Sequence, residues 1–168
     1  MMKPLVIILM GSKSDEGHCQ KIAEAVKQFG IETVLRIGSA HKTAQHTFQL
    51  LKEYENEGRP RVYITVAGRS NALSGFTDGA VNAPVIACPP PSEAYGGADI
   101  FSSIRMPSGV APAYIAEPLN AALLAAKILA LCDPEIKERV AAFQSTQMEK
   151  IIRDDQELQK VPYCQNGK

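Results

Sequence analysis

Leu5-Val6-Ile7-Ile8-Leu9-Met10 runs into Gly11 without one polar residue to interrupt it. A strand with one wet face alternates apolar and polar residues, whereas a strand covered on both faces reads as a continuous apolar run. The segment is therefore predicted to be an inner strand of a parallel sheet with helices on both sides. Gly11-Ser12-Lys13-Ser14-Asp15 follows as a turn. Cys19, Ile22, Ala23, Val26 and Phe29 then fall on one face of a helix that Gly30 can end. Ser14 is expected to cap that helix, with Asp15 and Glu16 suiting its positive first turn.

The same unit recurs. Thr33 to Ile37 reads as a second strand and Gly38-Ser39-Ala40-His41 as its turn, and Phe48, Leu51 and Tyr54 stripe the next helix. Val62 to Val66 is a third strand, followed by a glycine- and serine-containing turn from Ala67 to Gly75 and a weakly periodic helix. Val85 to Cys88 is a fourth strand. Pro89 to Gly109 reads as one long connection, and a loop of that length inside a compact domain is usually functional. A last strand near Ala113 to Ile115 leads to an Ala/Leu-rich helix, Asn120 to Leu131, apolar nearly all round and so expected inside the domain or at a subunit interface. From Glu135 a further helix carries Ile136, Val140, Phe143, Met148, Ile151 and Ile152, an arm expected to dock on a neighbouring subunit. Alternating β and α units predict a three-layer αβα fold, flavodoxin-like, with an open parallel sheet and extra C-terminal helices. Residues 1–160 are expected to form one domain, with 161–168 as a frayed tail.

Composition narrows function. Lys plus Arg and Asp plus Glu are 18 each, for a formal net charge of zero. No global field favours nucleic acid or an anionic membrane, so any bound anion must be held by local geometry. Cys19, Cys88, Cys132 and Cys164 lack the close spacing of zinc or redox pairs and read as small hydrophobes or inert thiols. The short apolar start fits neither a signal-peptide core nor a membrane span, so the protein is expected in the cytoplasm.

Ligands of open parallel sheets bind beyond the carboxyl ends of the strands. Three turns rich in small polar residues are expected there: Gly11 to Asp15, Ser39 to Thr43, and Gly68-Arg69-Ser70-Asn71. Hydroxyls and free N–H groups at such turns suit a phosphate monoester, and a carboxylate such as Asp15 suits a ribose diol. The first turn lacks the later glycines of the dinucleotide fingerprint and the Gly-Lys of a nucleoside triphosphate loop. His41, in a turn at a helix start, is the candidate general base. His18 and His46 are assigned structural or solvent-facing roles, and no metal site is expected.

Four ordered motifs carry a family resemblance. Gly11-Ser12-Lys13-Ser14-Asp15, Ser39-Ala40-His41-Lys42, Ala67-Gly68-Arg69-Ser70-Asn71 and Ser102-Ser103-Ile104-Arg105-Met106-Pro107-Ser108-Gly109 resemble the PurE family of purine biosynthesis. One branch of that family, the mutase, moves a carboxylate from N5 to C4 of carboxyaminoimidazole ribonucleotide. The other, the class II carboxylase, adds CO2 directly to C4 of 5-aminoimidazole ribonucleotide (AIR). The mutase usually shows Ser-Ala-His-Arg and a Gly-Ala-Gly-Gly-Ala-Ala-His-Leu-Pro-Gly loop. Here Lys42 replaces the arginine, Val66 the first loop glycine and Ala72 the second histidine, while Arg69-Ser70-Asn71 and Cys88-Pro89-Pro90 resemble the carboxylase. The resemblance implies that Gly11, Ser12, Ser14, Ser39 and Lys42 bind phosphate and that Asp15 holds the ribose. It implies that Gly68, Arg69, Ser70, Asn71 and Ala72 face CO2 or the carboxylate, that His41 handles the C4 proton, and that no metal or redox cofactor takes part. It also implies a homo-oligomer, tetramer or octamer. The competing expectations are the mutase reaction and a non-enzymatic nucleotide-binding module. A flavin carrier is disfavoured by the absence of tryptophan and of aromatic residues in the first three turns; a phosphoacceptor domain is disfavoured because Val66-Ala67-Gly68 offers no aspartate.

Overall fold

The computed structural model describes residues 2–160, so the expectation for 161–168 falls outside the described residues. Strands β1 (Leu5–Met10), β2 (Glu32–Ile37), β3 (Arg61–Val66), β4 (Val85–Ala87) and β5 (Ala113–Tyr114) form one parallel sheet in the order β2-β1-β3-β4-β5. Helices α1 (Glu16–Lys27), α2 (Ala44–Glu55), α3 (Ala72–Asp78), α4 (Phe101–Ile104), α5 (Pro118–Leu129) and α6 (Pro134–Gln159) complete the chain. This is the flavodoxin-like three-layer fold read from the sequence.

The unbroken run in β1 has a direct cause. Val6, Ile8 and Met10 pack into one core with α1, α5 and the start of α6, while Leu5, Ile7 and Leu9 pack into the other with Leu50, Leu51, Tyr54 and Leu73. All six residues are buried. β2 lies at the sheet edge and shows it, with Leu35 and Ile37 exposed.

Four local expectations change. Ser12, not Ser14, caps the first helical segment: its Oγ accepts the Ser14 N–H at 3.3 Å. The reason is a 3₁₀ turn, Lys13–Asp15, that precedes α1 and shifts the cap upstream. In α2 the buried face is Thr47, Leu50, Leu51 and Tyr54, an i, i+3, i+4, i+7 stripe; Phe48 sits one position round the helix and is exposed, with the Lys52 ammonium over its ring. The turn after β3 is shorter than expected, because α3 already begins at Ala72. The 89–109 connection contains a 3₁₀ segment, Ala94–Ile100, broken by left-handed Tyr95, Gly96 and Gly97, and then α4.

α5 buries Ala121, Ala122, Ala125, Ala126 and Leu129 against α1 and α6, as its alanine-rich face requires for close helix approach. α6 divides in two. Its first turns pack on the same chain through Ile136 and Val140, with Phe143 edge-on to Phe29 at 5.3 Å. Beyond these, Met148, Ile151, Ile152 and Leu158 are exposed. No helix among the described residues is long and apolar enough to cross a membrane.

Candidate active site

The chain leaves β1 for β2 on one side and then passes to β3 on the other, so the order reverses beside β1. That reversal opens a crevice at the carboxyl ends of the strands. Backbone bonds bring the turns there together. The Gly38 N–H donates to the Met10 carbonyl at 3.0 Å, and the Gly11 N–H donates to the Val66 carbonyl at 2.9 Å. A Cβ on Gly11 would come within 3.3 Å of the Ala67 Cβ, so glycine permits the close approach of the first and third turns.

In the first turn, Ser14 Oγ donates to Ser12 Oγ at 3.0 Å, and both side chains are exposed. Asp15 is half-buried, and burial raises its carboxyl above the ordinary value. In the second turn, Ser39 Oγ accepts the Lys42 N–H at 3.2 Å and the Ser39 N–H donates to Thr43 Oγ1 at 2.9 Å. These bonds fold Ser39 to Thr43 so that His41 and Lys42 stand exposed ahead of α2.

The third turn is built differently. Arg69 adopts a left-handed φ of 62°, a conformation uncommon for a residue with a Cβ and one that clusters at ligand-binding sites. Buried Asn71 locks the start of α3: its Oδ1 accepts the Ser74 N–H and its Nδ2 donates to Ser103 Oγ at 2.9 Å. Ser102 Oγ accepts the Asn71 N–H at 2.9 Å and donates to the Asp99 carbonyl at 2.7 Å. The loop from 68 to 71 is thereby tied to the 99–103 segment.

Between them lies a cavity of about 250 Å³, walled by Gly68, Arg69, Pro89 to Ser92, Asp99, Ser102, Tyr114 and Glu117 among others. Of the residues expected at the site, Gly68, Arg69 and Asn71 line this cavity. Ala72 instead lines an apolar neighbour of about 230 Å³ with Phe76, Met106 and Val110. Gly11, Ser12, Ser14, Asp15, Ser39, His41 and Lys42 lie on the adjoining turns outside the cavity wall, and Ser70 is exposed. Ala67, which lines the cavity and touches the space beside Gly11, joins the two halves. The Asn71 N–H is already engaged by Ser102, so Asn71 shapes the loop rather than offering its amide to a ligand.

Sequence reasoning did not single out Asp99, Tyr114 or Glu117. Glu117 precedes α5 without capping it, and only the fold brings it to the cavity. His18 is half-buried, with Nε2 3.6 Å from Cys88 Sγ. Cys19 and Cys88 are buried, and burial pushes both thiols up to about 12; Cys132 is exposed, and Cys164 lies outside the described residues. Among the described residues no three His, Cys, Asp or Glu side chains gather as a metal site.

The crevice at the strand ends, the polar turns around it and the adjoining cavity are those of a flavodoxin-like α/β protein with a pocket of small-molecule size. A family model described as AIR carboxylase matches residues 5–150. The chain is 60% identical over 159 residues to phosphoribosylaminoimidazole carboxylase of Treponema denticola, covering 95% of this chain and all of that protein. It is 55% identical over 152 residues to the protein of the same name from Archaeoglobus fulgidus, covering 90% of this chain and 83% of that one. The crystal structure of Treponema denticola PurE superposes with a TM-score of 0.92 at 60% identity, covering 94% of this chain and all of that one. The chain belongs to the PurE family of purine biosynthesis.

Proposed function

We propose that the chain adds CO2 to C4 of AIR, giving 4-carboxy-AIR, without a metal or redox cofactor. What carries the reading is the joining of three turns at one crevice. The Gly38–Met10 and Gly11–Val66 bonds tie the starts of the first, second and third turns at one end of the sheet, which supports their serving one ligand. The naming of the two close relatives supports a carboxylase, as do Lys42 and Arg69-Ser70-Asn71-Ala72 where the mutase pattern has other residues.

Ser12, Ser14 and Ser39 bind the ribonucleotide phosphate together with N–H groups of the Gly11 and Ser39 turns and Lys42. Asp15 takes the ribose hydroxyls. The exocyclic amine makes C4 an enamine-type carbon able to attack CO2 unaided. Gly68 to Ser70 face the forming carboxylate, with Ser70 as hydroxyl donor and Asn71 holding the loop, while Ala72 begins α3. The adduct carries hydrogen and carboxylate on C4, and His41 removes that proton to restore the aromatic ring. A positioned base contributes roughly 10²- to 10⁴-fold, and orientation of the ring against CO2 supplies more. The exposed apolar end of α6 supports a homo-oligomer, and the burial of α5 against α1 and the start of α6 supports 1–160 folding as one unit.

The test is a substrate comparison on the purified protein without ATP or a second enzyme. Product from AIR at a rate set by dissolved CO2 supports the carboxylase. Conversion of N5-carboxyaminoimidazole ribonucleotide alone makes the chain a mutase, and reaction with neither returns it to a binding module.

A further inference from the structure

His18 stands one helical turn beyond Asp15, on the stretch of α1 that faces the end of β4. Its Nε2 lies 3.6 Å from Cys88 Sγ, and the same sulfur lies 3.8 Å from the Ala116 carbonyl. Cys88 leads directly into the Pro89 to Ser92 wall of the cavity, and Ala116 and Glu117 form another part of that wall. Cys88 is itself fixed to the sheet, its N–H donating to the Thr65 carbonyl at 2.9 Å. The imidazole therefore links the helix start beside Asp15 to Cys88, whose sulfur in turn meets the carbonyl at the start of the second wall.

We propose that His18 is a positioning residue for the reaction, clasping the phosphate and ribose half of the site to the cavity half through Cys88 and Ala116. The proposal rests on the function above for its kinetic meaning. A thiol has one proton to donate. With Cys88 S–H directed to the Ala116 carbonyl, His18 donates its Nε2–H to the sulfur; with S–H directed to His18, the ring accepts. The arrangement in which the ring accepts the S–H requires a neutral imidazole. Burial, the largest influence, keeps the ring below its ordinary pKa; Lys21 acts in the same sense, while the Cys88 backbone and the carboxylates of Asp15 and Glu117 act against it. Cys88 stays protonated because burial pushes its thiol up to about 12.

The consequence concerns alignment rather than affinity. The phosphate contacts belong to the first and second turns and survive loss of the clasp, whereas the angle between nucleotide and cavity does not. Misplacement by about 1 Å can cost up to 10²-fold in rate. His18→Leu keeps the apolar bulk and loses the link. His18→Gln keeps a polar group at the reach of Nε2. In the full-length protein, His18→Leu is expected to lower kcat for AIR about 10-fold with the nucleotide KM within about 2-fold, and His18→Gln to recover most of kcat. Amide exchange supplies a reading free of substrate: peptides spanning 12–18 and 114–119 should both exchange faster in His18→Leu and return toward wild type in His18→Gln. Wild-type kcat and exchange in His18→Leu would overturn the proposal, as would equal losses in the two variants. If wild-type protein fails to carboxylate AIR, the proposed function falls, and the exchange comparison alone decides the clasp.

Discussion

Arg69 holds a backbone conformation that costs stability beside the cavity. Its left-handed backbone, φ 62°, costs a residue with a Cβ about 1 kcal/mol that glycine would not lose, while its side chain stands exposed at the rim of the cavity. Arg69→Gly is expected to raise Tm by about 2–4 °C and to cut turnover, which thermal unfolding and the AIR assay read independently. A rise in Tm with unchanged activity would remove the guanidinium from the site. Gly38 presents the reverse case. A Cβ there would lie 2.7 Å from Oγ1 and 3.1 Å from Cγ2 of buried Thr47, so Gly38→Ala should destabilise by about 1–3 kcal/mol in urea unfolding. His41 touches no core, so His41→Asn should nearly abolish turnover while nucleotide binding by calorimetry stays within a few-fold. At this scale the sequence was informative about the glycine-led turns at the strand ends. It was silent on Glu117 and Tyr114, because a residue in or just after a short edge strand has no local signature of the cavity it will line.

Among the elements, α3 depends most on one side chain. Asn71 supplies its cap and also holds α4 through Ser103 Oγ, with both groups buried. Asn71→Ala leaves the Ser103 hydroxyl and the Ser74 N–H without partners, and should cost about 1–3 kcal/mol and slacken the 68–71 loop. The expected readout is a lower Tm together with loss of kcat. Loss of Tm alone would mean that the loop holds its shape without the cap. The first strand was legible because a doubly buried strand needs no polar residue, and β1 shows the resulting run; β3 is equally buried but carries Arg61 and Thr65. The 3₁₀ turn before α1 and the helix inside the 89–109 connection were not legible. The first is set by the N–H bonds of Ser14 and Asp15 to Ser12, the second by contacts across the chain such as Ser102 to Asn71, and neither leaves a periodic pattern.

For the whole molecule, burial links His18 to stability. Its folded pKa lies below the ordinary 6.5, so the unfolded chain takes up the proton first as pH falls. The stability it contributes is present above 6.5 and is lost as pH drops through the lowered value. Asp15, raised by burial, acts with opposite sign and only in the carboxylate range. Urea unfolding between pH about 7.5 and about 5.5 should show stability falling, with a shallower fall in His18→Gln; equal slopes would contradict the assignment. The far end of α6 bears on assembly. Ile151 and Ile152 are exposed on a helix anchored only through its first turns, so a double substitution to Asp should lower the particle mass in sedimentation without changing Tm of the dissociated chain.

By itself the sequence determined the order of the strands and main helices, the inner position of β1, the polar turns at the strand ends and the family, because each is written in local patterns of burial and hydrogen-bonding capacity. The tertiary structure alone decided which turns meet. His18 reaches Cys88, Ser102 reaches Asn71, and Glu117 reaches the cavity across separations along the chain that no periodicity encodes. Such contacts follow from the crossover that reverses the sheet beside β1, which brings distant strand ends to one crevice.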